Sequence, residues 1–183
     1  MKAIVFLADG FEECEALISV DILRRAGVET VMASVMDRRQ VESSRSIKVI
    51  ADAMAADVDF DSADLIVLPG GRLGTENMAK SSIVTEKCKE FAQTEGKYLA
   101  AICAAPSLPA SLGLLEGKKA TCHPDFEGHM AGAVLTGTGV AVDGNIITGQ
   151  GLGATFDFAF QLVSMLVSEE CAEQIKKAIC YKK

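Results

Sequence analysis

The chain has 183 residues, of which 49% are hydrophobic, 23% charged and 5% aromatic, and this composition is typical of one soluble domain. Its 18 Lys and Arg residues against 25 Asp and Glu residues leave a net charge of −7, which argues against nucleic acid as a partner. The six cysteines form no C-x-x-C pair, so we expect reduced thiols in a cytoplasmic protein instead of a zinc ribbon or a disulfide framework.

Strand and helix signals alternate along the first two thirds of the chain. Short apolar strands are predicted over residues 2–8, 28–34, 64–68 and 97–102, and a weaker strand over 46–51. Helices are predicted over 12–26, 81–95 and 104–115. Strands that are apolar on both faces and alternate with helices predict an α/β fold with a mostly parallel sheet and helices on both faces, in one domain spanning 1–183.

The last third adds further strands and a helical end. A short strand is predicted over 119–122, and residues 140–142 and 145–148 flank Asp143-Gly144, a strong signal for a hairpin turn. Residues 154–167 carry apolar side chains at spacings of three and four, which predicts a core helix, and a short polar helix follows. The longest uncharged stretch, 98–115, contains Pro106 and Pro109, so we expect buried structure and no membrane partner.

Cys103 is the first candidate for chemistry, because it lies where the strand 97–102 ends and a predicted helix begins. Such a turn lifts a nucleophile above the sheet, and the positive end of a helix dipole favours the thiolate. Gly70 and Gly71 follow another strand, and their N–H groups are candidates for stabilising an oxyanion near the sulfur. The alternatives are an inert buried cysteine and an ordinary glycine turn.

Glu15 is the second candidate. The polar residues of the helix 12–26 gather in one sector, namely Glu13, Asp21, Arg24 and Arg25. Glu15 points the other way, with Ile22 and Ala26, so burial is expected to raise its pKa and to favour a protonated carboxyl. The alternative is a carboxylate near the helix N-terminus that the helix dipole alone favours.

Two histidines are available as a base. His123 follows the predicted strand 119–122 and is expected to face the nucleophile, whereas His129 lies in a polar segment and is expected to be exposed. Cys122 and His123 lack third and fourth ligands at metal-binding spacing, so no metal is predicted. The glycine-rich segment 149–153 lacks the lysine of a phosphate loop.

Several segments together resemble the DJ-1/ThiJ/PfpI superfamily, and most closely its DJ-1/ThiJ branch. They are ADGFEECE (8–15), VDILRRAG (20–27), VLPGG (67–71), AAICAAP (100–106), TCHP (121–124) and GQGLGAT (149–155). The resemblance extends over essentially the whole chain. It implies a flavodoxin-like sandwich, usually a homodimer, that needs no cofactor.

The same resemblance implies roles for individual residues. Cys103 matches an oxidation-sensitive nucleophile, Glu15 its protonated hydrogen-bond partner and His123 a nearby base. The family's oxyanion-type backbone donors match Gly71 and Ala104. Pocket arginines of the family match Arg25 and Arg45.

The function implied by the resemblance is a cofactor-independent glyoxalase or deglycase acting on small dicarbonyls such as methylglyoxal, or on their early adducts. The alternative is an oxidative-stress redox sensor or chaperone whose Cys103 is oxidised to sulfinate. A thiamine-related role is suggested only by the ThiJ name. The protease-like branch has a histidine directly after its cysteine, where this chain has Ala104, so peptidase activity is disfavoured.

Overall fold

The computed structural model describes residues 1–182, which form strands and helices in alternation. The strands are β1 (Lys2–Leu7), β2 (Glu29–Ser34), β3 (Gln40–Glu42), β4 (Lys48–Ile50), β5 (Ala53–Met54), β6 (Leu65–Leu68), β7 (Tyr98–Ile102), β8 (Lys119–Ala120), β9 (Val134–Leu135), β10 (Val140–Asp143) and β11 (Ile146–Gly149). The α-helices are α1 (Glu13–Arg25), α2 (Arg72–Lys80), α3 (Ser82–Gln93), α4 (Ser107–Ser111), α5 (Thr155–Leu166) and α6 (Glu169–Ala178). Short 3₁₀ helices cover Ala55–Asp57, Pro124–His129 and Leu152–Ala154.

A seven-stranded sheet with the strand order β10-β11-β7-β6-β1-β2-β5 forms the centre of the fold. Every neighbouring pair in it is parallel except β10 and β11, which form the predicted hairpin. Counted among themselves in chain order, β1, β2, β6, β7 and β11 follow the order 2-1-3-4-5, which is that of flavodoxin-like sheets. The expected flavodoxin-like, mostly parallel sheet is therefore confirmed.

Helices cover both faces of this sheet, as predicted. Alternate residues of β1 point to opposite faces, so Val5 packs with α1, α5 and α6 while Phe6 packs with α3 and α4. Each side forms a cluster of fully buried apolar side chains. The packing of α1 against α5 fixes the helix that carries Glu15 relative to the carboxyl ends of the strands.

The helix predicted over 104–115 is much shorter in the structure. Only Ser107–Ser111 is α-helical, because Cys103 has a left-handed φ of 65° and Gly113 has a left-handed φ of 74°. A residue with positive φ cannot continue a right-handed helix, so the chain turns on both sides of α4. The prediction was wrong in the length of this helix and therefore in the strength of its dipole.

Three other elements differ from expectation. The strand predicted over 119–122 is limited to β8, which pairs with β9 in a separate two-stranded sheet. The strand predicted over 46–51 is β4, which pairs with β3 outside the central sheet. Helix α2 was not predicted, since its sequence RLGTENMAK contains a glycine and few apolar residues.

None of the helices among residues 1–182 combines the length and the apolar character that crossing a membrane requires.

Candidate active site

Cys103 lies at a sharp turn directly after β7. Its backbone N–H donates to the carbonyl of Gly149 at 2.9 Å, and its carbonyl accepts the N–H of His123 at 2.9 Å. These two bonds hold the left-handed φ of 65°, which costs energy for a residue that is not glycine. The result is a half-buried thiol presented at the carboxyl edge of the sheet.

Glu15 approaches the same edge from the first turn of α1 and has no exposed surface. Its backbone N–H donates to Oε2 of the N-cap residue Glu12 at 2.7 Å, which fixes the helix start. Its own Oε2 accepts the N–H of Gly70 at 2.9 Å. Oε1 is buried and, within residues 1–182, accepts no hydrogen bond. The burial expected from the helical pattern is therefore present.

Gly70 is the residue that allows the carboxyl group and the thiol to lie close together. A Cβ added to Gly70 would lie 2.5 Å from Oε2 of Glu15 and 2.6 Å from Cβ of Cys103. Real Cβ atoms do not approach other heavy atoms so closely, so only glycine fits between the two side chains.

Burial raises the pKa of Glu15 from 4.5 to about 7. Two hydrogen bonds act to lower this pKa, one with the Cys103 thiol and one from the Gly70 N–H. The charge of Glu12 adds to the increase. A carboxyl group with this pKa is partly protonated at neutral pH. It can therefore donate a proton as well as accept one.

The pKa of Cys103 is raised to about 12 by burial and by the negative charge of Glu15, and the N–H groups of Gly71 and Ala104 act to lower it. This differs from the expectation that a helix dipole alone favours the thiolate. Helix α4 begins only at Ser107 and is five residues long, so its dipole contributes little.

The two groups therefore titrate as a pair. A charged Glu15 raises the pKa of Cys103, whereas a protonated Glu15 removes that charge and can donate its O–H to the sulfur. The ionised sulfur depends on the proton of Glu15 and on the backbone donors of Gly71 and Ala104.

His123 lies in the same cleft, at the start of the 3₁₀ helix Pro124–His129. Its Nδ1 accepts the backbone N–H of Asp125 at 3.2 Å, so the neutral ring carries its proton on Nε2. The ring edge at Cδ2 faces Gly151 across the cleft. In this tautomer Nε2–H of His123 is available as a donor, and the expected role of His123 as a base stays a prediction. His129 is exposed, as predicted.

A cleft of about 710 Å³ joins these groups. Arg45, Glu12 and the segment around Gln150 line it together with Cys103, Glu15 and His123. Gln150 and Asp157 also line the cleft but were not predicted. Asp157 lies in the predicted core helix, and Gln150 lies in the glycine-rich segment 149–153, which lacks the lysine of a phosphate loop. Its position after β11, at the carboxyl edge of the sheet, was the signal that could have found it.

The structure brings Arg45 to the cleft but not Arg25. Arg25 ends α1, about 15 Å along the helix from Glu15, and pairs with Asp21 at 2.6 Å.

Glu13 was expected in the polar sector of this helix, but its side chain is buried and accepts a hydrogen bond from the hydroxyl of Ser44 at 3.2 Å.

No cluster of three or more His, Cys, Asp or Glu side chains among residues 1–182 has the arrangement of a metal site.

The sequence profile of the DJ-1/PfpI family matches residues 1–165. This chain belongs to the DJ-1/PfpI family. Within that family it is 38% identical to protein DJ-1alpha of Drosophila melanogaster, over 98% of this chain and 84% of that protein. It is 39% identical to protein DJ-1 homolog B of Arabidopsis thaliana, over 95% of this chain and only 40% of that longer protein.

Two further DJ-1 proteins bear on the site. The structure of oxidised Toxoplasma gondii DJ-1 superposes with a TM-score of 0.94 at 36% identity, over 100% of this chain and 99% of that chain. A glutathione-independent glyoxalase of Caenorhabditis elegans, DJR-1.2, is 27% identical over 94% of this chain and 91% of that protein.

We expect the Glu15→Gln variant to form the Cys103 thiolate at lower pH than the Glu15→Leu variant, by about one to two pKa units. Glutamine keeps an N–H donor for the sulfur, and a hydrogen bond to a charged group contributes about 1.5–3 kcal/mol. Thiolate absorbance in the ultraviolet, followed against pH, measures the difference, with Cys103→Ser in each background as the control. A leucine variant that ionises at the same or lower pH contradicts the assignment.

Proposed function

We propose that this DJ-1/PfpI protein is a cofactor-independent glyoxalase or deglycase that acts on methylglyoxal-type dicarbonyls or their early adducts. The observation that carries the proposal is that the buried Glu15 carboxyl and Cys103 lie side by side against Gly70, in a cleft that also presents two backbone donors to the sulfur. The naming of a C. elegans relative as a glutathione-independent glyoxalase supports the same chemistry.

The first step is attack by the Cys103 thiolate on the aldehyde carbon. The S–C bond forms while the π electrons of the carbonyl move to its oxygen, which becomes an oxyanion. The N–H groups of Gly71 and Ala104, which act on the sulfur in the free protein, are the donors that we assign to that oxygen. Glu15 then gives its proton to the oxyanion, and a hemithioacetal results.

The next steps move protons within the bound substrate. The Glu15 carboxylate removes the proton from the former aldehyde carbon, and Nε2–H of His123 donates to the neighbouring carbonyl oxygen. Glu15 then returns its proton to the second carbon while the hydroxyl on the sulfur-bearing carbon gives its proton back to Nε2 of His123, which leaves a thioester of the hydroxy acid. Water then hydrolyses the thioester and frees Cys103.

The overall reaction needs no external oxidant or reductant. One carbonyl of the substrate is reduced to an alcohol while the other is oxidised to a carboxylate, so methylglyoxal and water yield lactate and a proton. The positive charge of Arg45 at the cleft wall favours a polar substrate and an anionic product. A cleft of about 710 Å³ also accommodates adducts larger than methylglyoxal itself.

We expect Cys103→Ser to lower lactate formation from methylglyoxal at least about 10³-fold, and Glu15→Leu to lower kcat about 10²–10⁴-fold, because general acid–base catalysis contributes that much. The assay is run without glutathione. The matched control is Cys171→Ser, which changes a partly exposed cysteine of α6 outside the cleft.

Unchanged lactate formation in Cys103→Ser removes this cysteine from the mechanism. Loss of activity in Cys171→Ser as well points to a general effect on the protein and contradicts the assignment of the site.

A redox sensor is the second candidate function, favoured by the half-buried, Glu15-dependent sulfur and by the oxidised structure of the T. gondii relative. A thiolate takes one oxygen from hydrogen peroxide to become sulfenate and a second to become sulfinate, releasing water each time.

None of the six cysteines forms a disulfide, which supports the proposal of a reducing, cytoplasmic environment.

If sensing is the function, Cys103 gains two oxygen atoms before any other cysteine during a peroxide titration followed by intact mass and peptide mapping. Cys88 serves as the internal control, because its side chain is fully buried whereas that of Cys103 is partly exposed. The sensor proposal fails if the exposed Cys14 or Cys180 is oxidised first.

We also propose that the chain forms a homodimer through an apolar patch beside α1. Leu17, Ile47 and Phe156 are 37%, 48% and 38% exposed and line one hollow of about 350 Å³. A charge in this patch would oppose burial against a second copy. We expect Leu17→Glu to shift the protein from dimer to monomer in sedimentation velocity, while Leu135→Glu on β9 leaves it unchanged. A monomeric wild type contradicts the proposal.

A further inference from the structure

A second groove lies between α2, α4 and the 3₁₀ helix Pro124–His129. Its volume is about 310 Å³, and it shares no lining residue with the Cys103 cleft. This volume is near the lower limit for small-molecule sites, which is about 300 Å³, so the groove suits a small ligand.

Arg72 lies at one wall of this groove, with its guanidinium carbon 4.9 Å from the centre of the Phe126 ring. Stacking on a ring fixes the plane of the guanidinium group and leaves its N–H edge open to a carboxylate. Within residues 1–182, Arg72 has no carboxylate within ion-pair distance. The groove therefore contains an oriented cation without a protein counter-ion.

Glu76 lies one helical turn after Arg72 on the same face of α2. The spacing of four residues allows an ion pair, yet in the described part of the chain neither side chain pairs with the other or with a third charge. Two opposite charges thus face one groove at separate positions. Its remaining walls include the apolar side chains of Leu108 and Phe126.

Thr75, between these two charges in sequence, adds an independent observation. Its side chain is 6% exposed, and its hydroxyl has no hydrogen-bond partner within residues 1–182. A hydroxyl that is buried without a partner is uncommon in proteins. Because Thr75 is among the residues that line the groove, this hydroxyl is the buried polar group nearest in sequence to both charges.

We propose that this groove binds a free α-amino acid with an apolar side chain. The ligand carboxylate pairs with Arg72, its ammonium group pairs with Glu76, and its side chain packs against Phe126 and Leu108. A simple carboxylate would leave its negative charge near an unpaired Glu76, and a simple amine would leave Arg72 unpaired. A zwitterion satisfies both charges.

The groove is adjacent in sequence to both backbone donors of the Cys103 site. Arg72 directly follows Gly71, and the hydroxyl of Ser107 in the groove wall donates to the carbonyl of Ala104 at 2.7 Å. An amino acid in the groove therefore contacts the segments that position the donors of the nucleophile. This site does not depend on the activity proposed above.

The test is a titration of the full-length protein with L-leucine, 4-methylpentanoate and 3-methylbutylamine, followed by backbone amide shifts in NMR. L-Leucine is expected to shift the amides of Arg72, Glu76 and Ser107 in a saturable way. Each analogue lacks one of the two charges and is expected to bind at least about tenfold more weakly, the effect of one charge-assisted contact.

Substitutions complete the test. Arg72→Gln and Glu76→Gln should each weaken L-leucine binding at least about tenfold. Lys89→Gln, which removes an exposed cation from α3, should leave it unchanged. The proposal is overturned by equal binding of 4-methylpentanoate, by unchanged affinity in Arg72→Gln, or by the absence of saturable shifts. Shifts confined to His123 and Gly151 also overturn it, since they place leucine in the Cys103 cleft.

Discussion

The site depends on one physical constraint, which is that a carboxyl group without exposed surface lies against a half-buried thiol. Burial disfavours a charge on either group, and two neighbouring negative charges are disfavoured still more. Glu15 and Cys103 therefore titrate as a coupled pair, in which at most one of the two groups is charged near neutral pH. The N-cap of α1, the Gly70 N–H and the turn after β7 all serve to hold this pair in place.

This arrangement costs stability. The pKa of Glu15 is about 7 in the folded chain and 4.5 without burial, so the folded state binds more protons between those values. The stabilisation by the neutral carboxyl is fully present below pH 4.5 and is lost as the pH rises towards 7, and it amounts to about 3 kcal/mol. The fold thus keeps a reactive pair at the expense of part of its stability at neutral pH.

Much of this site could be predicted from the sequence, because its main signals are local. The helical position of Glu15 among apolar neighbours predicts its burial, and the strand that ends at Ile102 predicts the exposed turn at Cys103. The strength of the helix dipole was not predictable from the apolar character of 104–115, since Gly113 and the left-handed Cys103 limit α4 to five residues. The roles of cysteine and glutamate as a proton-sharing pair came from the family resemblance.

The place of Arg25 and the existence of α2 were not predicted correctly. The resemblance matched both Arg25 and Arg45 to pocket positions. Arg45 does reach the cleft, on the loop between β3 and β4, whereas Arg25 lies at the far end of α1 from Glu15, a separation that the predicted helix 12–26 already implies. Helix α2 has too few apolar residues for a clear period, so neither the helix nor the groove beside it was foreseen.

The position of α2 links the Cys103 cleft to the second groove. Gly71 caps this helix with a left-handed φ of 86° and at the same time directs its N–H to Cys103. The next residue, Arg72, faces the second groove, so any displacement of the first turn of α2 changes both places. Because the Gly71 N–H lowers the pKa of Cys103, the geometry of this one turn also bears on the ionisation of the sulfur, although its effect is smaller than those of burial and of the Glu15 charge.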